Sequence, residues 1–323
     1  MLRAIRRLAS GPQPGVRIVI ASTLTAVLVA ATSMAQSPSS DPSGRGEPIT
    51  PLPVQAPADA RRVALGERLF HDTRLSGSGD RTCATCHDLS TNGAAPPGTA
   101  VDRQGGALPL DTMTVFNAGL NFRLNWAGTY RTLESQAEAL IESPAVMGAD
   151  LDEVIERLRA DGPLADAFVQ AYGHGPDRPA LLDALARFQR SLTTPDSRFD
   201  RWLRGEASAL SDKEVEGYRS FKALGCASCH QGANVGGNLF QRHGIFHPIA
   251  MPDPPIVRVP SLRNVATTAP YFHDGGTATL EKAVRDMASA QLGRRISDEQ
   301  VDAIVAFLRT LTGTYRNQPV RAP

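Results

Sequence analysis

The chain has 323 residues, with 34 basic against 33 acidic side chains and a net charge of +1. That length exceeds a typical domain of roughly 100–200 residues and predicts two domains. The near-balanced charge shows no basic excess of the kind that suggests nucleic-acid binding.

Residues 1–35 read as a secretory signal peptide. Arg3, Arg6, Arg7 and Arg17 form a basic leader, an apolar run follows from Ile18 to Ala31, and Ser33-Met34-Ala35 is a small-x-Ala cleavage site. The run is shorter than the ~20 residues of a comfortable membrane span; an uncleaved anchor is the alternative. Without these residues, which carry four arginines and no acids, the count becomes 30 basic against 33 acidic, a net charge of −3. Residues 36–60, rich in Ser, Pro, Gly and Asp, read as a flexible leader. Arg61–Phe70 reads as a short helix with Val63, Leu65, Leu69 and Phe70 available for a buried face.

Cys83-Ala84-Thr85-Cys86-His87 follows, and Cys226-Ala227-Ser228-Cys229-His230 repeats it; together they use all four cysteines of the chain. C-x-x-C-H is the attachment signal for c-type haem. Each cysteine can form a thioether to one vinyl group, and the histidine is then held under the iron. Two C-x-x-C disulfides are the simplest alternative, but they need no histidine after each pair. A shared zinc site needs its pairs roughly 12–20 residues apart, far closer than these. Two covalent haems also account for export, because c-type haem is attached outside the cytoplasm, and their faces replace scarce aromatic side chains in the core. A mildly acidic mature chain suits docking of a basic electron carrier.

The stretch Ser90–Asp111 is long, polar and rich in Gly and Pro, and beside a haem it reads as a distal cover. Helical spacing then dominates: Thr132–Glu142, Leu151–Ala160, Arg178–Leu192 and Leu280–Gln291 all carry apolar residues three and four apart. Ser211-x-x-Glu214 and Ser297-x-x-Gln300 are capping boxes that open two more helices. Strand signals are weak, so the fold is expected to be mainly α.

The chain also repeats itself. Asn117, Trp126, Gly128 and Thr132-Leu133-Glu134 stand at offsets 0, 9, 11 and 15–17; Asn264, His273, Gly275 and Thr279-Leu280-Glu281 stand at the same offsets. The blocks begin 34 and 38 residues beyond the first cysteine of their own haem motif. This predicts two tandem cytochrome c-like haem domains from an internal duplication, residues 61–195 and 196–323.

Val63-Ala64-Leu65-Gly66, Arg74-Leu75-Ser76-Gly77, Phe188-Gln189-Arg190-Ser191-Leu192, Val259-Pro260-Ser261-Leu262-Arg263-Asn264-Val265 and Ala269-Pro270-Tyr271-Phe272-His273-Asp274-Gly275 resemble bacterial di-haem cytochrome c peroxidases. The resemblance runs from residue 60 to 313 and extends to a branch whose di-haem enzymes oxidise tryptophan in partner proteins. It implies a peroxidatic haem at His87 and a six-coordinate electron-transfer haem at His230, with Met287 as the latter's axial ligand; packing alone is the plainer role for that methionine. It implies that Trp126 relays electrons between the haems, that Gln136 belongs to the peroxide site, and that a calcium ion is held by Asp111 with the carbonyls of Thr268 and Pro270. Hydrogen peroxide as substrate, a small cytochrome c or cupredoxin as donor and a periplasmic location follow from the same resemblance. Family members are commonly homodimers, although no residue in the sequence marks an interface.

Three positions depart from the family pattern. The glutamate that usually moves the peroxide proton falls on Val146, which cannot do so; Glu138 and Glu142 are the nearby substitutes, a solvated surface role being their alternative. The distal-loop histidine falls near Arg103, and a guanidinium is a very poor iron ligand, so Arg103 is either a group polarising bound peroxide or a solvated loop residue. Trp-Asp-Gly-Arg becomes Trp126-Ala127-Gly128-Thr129, which removes a charge pair. His71, His174, His243 and His247 match no ligand position; His71 is close enough to the first motif for a propionate contact. These departures keep two other readings open: oxidation of a residue on a partner protein, and a non-catalytic di-haem electron carrier or sensor.

Overall fold

A computed structural model describes residues 46–53, 58–96, 99, 101–250 and 253–323. The expected signal peptide and the start of the leader lie outside the described residues. Among those described, the chain forms helices α1 (Ala60–Phe70), α2 (Cys83–Cys86), α3 (Leu133–Glu142), α4 (Leu151–Arg159), α5 (Gly162–Tyr172), α6 (Arg178–Ser191), α7 (Arg198–Leu203), α8 (Asp212–Ala223), α9 (Leu280–Leu292) and α10 (Asp298–Arg309). Strands are confined to two antiparallel pairs, β1 (Phe240–Arg242) with β2 (Ile256–Arg258) and β3 (Thr314–Tyr315) with β4 (Gln318–Pro319). None of the described helices is long and apolar enough to cross a membrane.

Local sequence sets the helix ends. The Asp150 carboxylate accepts from the N–H groups of Asp152 and Glu153 to start α4, whose buried face is Leu151, Val154, Ile155 and Leu158. Ser211 with Glu214 and Ser297 with Gln300 form the two expected capping boxes at α8 and α10. Helix α5 was not foreseen from apolar spacing, yet its punctuation is plain: Asp161 as N-cap, Pro163 in the first turn and Gly173 at φ 81° closing the end.

Two large hydrophobic cores result among the described residues, with a small third cluster of Leu124, Leu133 and Ala186. The first gathers Leu69, Phe70, Phe168, Leu185 and Phe188 between α1, α5 and α6. The second gathers Phe199, Tyr218, Phe221, Ile304 and Phe307 around α7, α8 and α10. The chain ends are exchanged between them: Val320 belongs to the first core and Ile49 to the second. The stretch 36–60 is therefore not a flexible leader throughout. Glu47 accepts hydrogen bonds from the Tyr218 hydroxyl at 2.6 Å and Lys222 at 2.8 Å, and Ile49 and Leu52 are buried. Its Pro and Gly content concealed two apolar side chains with a groove to fill.

The duplication is visible in detail. Isolated antiparallel bridges join Leu124 to Tyr130 and, 147 residues later, Tyr271 to Thr277. Asn117 and Asn264 both adopt left-handed backbone, φ 59° and 60°, and both donate a side-chain N–H to the Thr194 hydroxyl, at 2.8 and 3.0 Å. A Cβ on Gly66 would strike the Ala184 carbonyl, and one on Gly217 the Ala303 carbonyl, so α1 packs on α6, and α8 on α10, through a glycine. Phe70 lies 5.3 Å from Phe188, and Phe221 lies 5.3 Å from Phe307. The repeats also clasp each other: the Asp111 N–H donates to the His273 carbonyl and the Arg258 N–H to the Trp126 carbonyl, both at 2.8 Å.

Candidate functional site

A cavity of about 540 Å³ runs through the interior and is lined by both C-x-x-C-H motifs. Cys83, Cys86 and His87 stand in the wall of one end, and Cys226, Cys229 and His230 in that of the other. None of the four cysteines is in a disulfide. Burial pushes the Cys83 thiol up to about 12 and the Cys226 thiol up to about 11, so both stay protonated.

The two histidines are prepared as neutral ligands by desolvation, which lowers both pKa values, that of His230 to about 4. Their second nitrogens differ. His87 Nδ1 lies 3.1 Å from the Gly93 carbonyl, which fixes the proton there and leaves the Nε2 lone pair available for a metal. His230 Nδ1 is buried near the Val235 and Pro260 backbone acceptors, with no hydrogen bond as well formed as that of His87. Paired thiols, a neutral imidazole and an apolar cavity at each end fit two covalently held haems.

The opposite walls differ more. Met287 on α9 lines the cavity, and the equivalent position of the first repeat is Leu140 on α3, which lines it too. The second repeat thus brings a thioether to the cavity where the first brings a non-ligating side chain. Gln136, Ala137 and Ile141 complete the α3 wall, with Val146 and Met147 beside them. Trp126 lies in the shared wall, its Nε1 donating to the Asp111 carbonyl at 2.9 Å and its ring 6.1 Å from that of His273.

Asp111, Thr268 and Pro270 line the same cavity. A Cβ on Gly275 would lie 3.1 Å from Pro270 Cγ and 3.9 Å from Asp111 Cγ, so these residues meet around one turn. Burial raises the Asp111 pKa, opposed by the Thr112 N–H. Among the described residues no group of three or more His, Cys, Asp or Glu side chains is clustered for a metal. A calcium ion here would therefore rely on one carboxylate and on backbone carbonyls.

Other expected residues are not brought to the cavity. Arg103 lies against Gly148 in a separate outer pocket of about 350 Å³ with Glu142 and Asp150, its N–H donating to the Ala145 carbonyl at 3.0 Å. The 144–148 turn separates it from the interior: Val146 and Met147 face in, Pro144 and Gly148 face out. Glu142 and Glu138 both pair with Arg178, at 2.7 and 3.3 Å, and neither lines the cavity. Among the described residues Asp111 is the one acid that does. His71 is exposed and edge-on to Phe70, and His174 pairs with Asp177 at 3.5 Å. His243, expected as an ordinary surface or core residue, instead enters the cavity wall, 4.6 Å from the His273 ring.

Comparison with known proteins agrees with this geometry. Residues 60–208 match the family described as di-haem cytochrome c peroxidase, and residues 214–312 match cytochrome c. Cytochrome c551 peroxidase of Nitrosomonas europaea is 38% identical over 91% of this chain and 93% of its own. Cytochrome c peroxidase Ccp of Escherichia coli is 39% identical over 85% of this chain and 63% of its own. Among solved structures, a MauG-like protein associated with microbial copper homeostasis superposes with a TM-score of 0.71 and 26% identity, covering 82% of this chain and 93% of that one.

Proposed function

The chain belongs to the di-haem cytochrome c peroxidase family, and from that premise we propose that it reduces hydrogen peroxide to water in the periplasm with electrons from a small cytochrome c or cupredoxin. Bound haem c would supply the redox chemistry at both ends of the cavity. The observation that carries the reading is an inequality between the repeats: Met287 on α9 of the second and Leu140, its equivalent on α3 of the first, both line the cavity, and only one can ligate. The first end is the one open to substrate, and the second, with its thioether, suits an electron-transfer role.

Peroxide reduction consumes two electrons and two protons. Gln136 positions the substrate by hydrogen bonding but has no proton to give. With Val146 beside it and both nearby glutamates tied to Arg178, protons come from water. Trp126 provides an oxidisable ring in the wall shared by the ends. Asp111, with the Thr268 and Pro270 carbonyls, would hold a calcium ion, which would neutralise the buried carboxylate at the seam. Arg103 has no contact with the interior and is assigned no catalytic role.

The missing carboxylate favours a second reading, oxidation of a side chain on a partner protein. Peroxide-dependent oxidation of a reduced small cytochrome c by the holo-protein, with and without pre-reduction, separates them. Turnover that disappears in His87→Gly supports the peroxidase; negligible turnover with both haems attached contradicts it. Turnover without pre-reduction identifies an ungated first site.

A further inference from the structure

Arg258 ends β2 at the seam between the repeats and is 2% exposed. Its guanidinium contacts are all neutral. Nε donates to the Asn125 carbonyl at 3.3 Å, Nη1 to Asn121 Oδ1 at 3.1 Å, and Nη2 to the Met113 sulfur at 3.5 Å. No carboxylate pairs with it among the described residues, and burial alone draws its pKa down to about 10. Arg263, five residues on and equally buried, shows the usual arrangement: its Nη1 lies 2.8 Å from Asp200.

A guanidinium stays protonated inside proteins, and a buried charge without a counter-ion is strongly destabilising. The side chain lines the haem cavity. Apart from the two haem motifs and Arg263, the titratable groups of the wall are Asp111, His243, His273 and Tyr271, whose phenol is kept protonated by burial. The histidines carry no negative charge, and the Asp111 carboxyl is governed by burial and the Thr112 N–H rather than by Arg258. The required anion therefore comes from what fills the cavity. The repeat sharpens the point: Arg258 precedes Asn264 by six residues as Asp111 precedes Asn117. Equivalent positions of the two repeats thus carry opposite charge into one cavity, one suited to a cation and the other to an anion.

We propose that Arg258 is the counter-ion of a haem carboxylate, gripping the propionate edge of a haem where the two repeats meet. This rests on the presence of two covalent haems, though not on peroxidase turnover. The guanidinium keeps that carboxylate ionised at every pH the protein meets, so the haem's reduction potential does not move with pH across the neutral range. Without it, burial raises the carboxylate pKa. Reduction then draws in a proton, and the potential falls as pH rises.

The test is spectroelectrochemical titration of the holo-protein across the acid-to-alkaline range, for wild type, Arg258→Lys and Arg258→Gln, after a pyridine haemochrome assay has confirmed two haems per chain. A haem count below two breaks the functional reading before this one is reached. The expected result is flat potentials in wild type and Arg258→Lys, and in Arg258→Gln one haem with a lower, pH-dependent potential. An Arg258→Gln protein that tracks wild type at every pH overturns the assignment. So does a wild-type potential that slopes through the neutral range, or one that follows chloride or phosphate concentration, which would make the anion a free one. If Arg258→Gln does not accumulate with both haems, the wild-type and Arg258→Lys profiles decide on the same criteria.

Discussion

The two ends of the cavity are built from the same repeat and have diverged where ligands stand. At the first, the His87 Nδ1 faces the Gly93 carbonyl and Leu140 lines the α3 wall; at the second, the His230 Nδ1 lies near the Val235 and Pro260 backbone and Met287 occupies the place equivalent to Leu140. The difference that bears on potential is therefore the methionine. A thioether opposite a histidine favours reduced iron, so Met287 would raise the second haem's potential above the first's. The scaffold around them stays alike: the glycine contacts at Gly66 and Gly217, the phenylalanine pairs and the shared Thr194 are near copies. Divergence also reaches the connections: α4 and α5 lie between α3 and α6, whereas α9 is followed directly by α10.

That comparison can be broken most severely at the open end. His87→Gly should reduce peroxide turnover to background while the second haem keeps its spectrum; unchanged turnover would mean that the ends have been assigned the wrong way round. Met287→Leu makes the second end resemble the first. It should lower that haem's potential and double carbon monoxide binding per chain, read by optical titration. Val146→Glu restores an acid beside Gln136 and should raise turnover, with a ceiling on the order of 10²-fold, the lower range for general acid–base catalysis.

The scaffold gives smaller effects. Gly217→Ala drives a methyl into the Ala303 carbonyl and should destabilise the second core by about 3 kcal/mol, with Gly66→Ala doing the same to the first; denaturant midpoints of holo-protein test whether the two lobes answer alike. Calcium removal is the mildest. Because burial raises the Asp111 pKa, protons compete with the cation at pH values above the ordinary carboxylate range. Affinity should therefore fall as the solution is acidified and be insensitive to pH near neutrality and above, measured by calorimetry on chelator-treated protein.

How much of this was legible in the sequence follows from the range of the interactions involved. The haem motifs, six helices with apolar spacing or capping boxes, and the duplication are local patterns and could be read directly. Helix α5 was missed because the 3.6-residue period is weak there, although its Asp161, Pro163 and Gly173 punctuation was available. The docking of Ile49, the retreat of Arg103 behind the 144–148 turn and the capture of both glutamates by Arg178 depend on partners distant in the chain, so no window of sequence contains them. Arg258 is intermediate. Its burial was not visible, but its equivalence to Asp111 was, since both precede the repeat's asparagine by six residues.

The central claim is that one iron site is open and one is closed, and carbon monoxide titration of the fully reduced holo-protein tests it most directly. The account predicts one carbon monoxide bound per chain carrying two haems, rising to two in Met287→Leu. No binding in wild type would make the protein a closed electron carrier, and two bound per chain would remove Met287 from the second iron; either result contradicts the account.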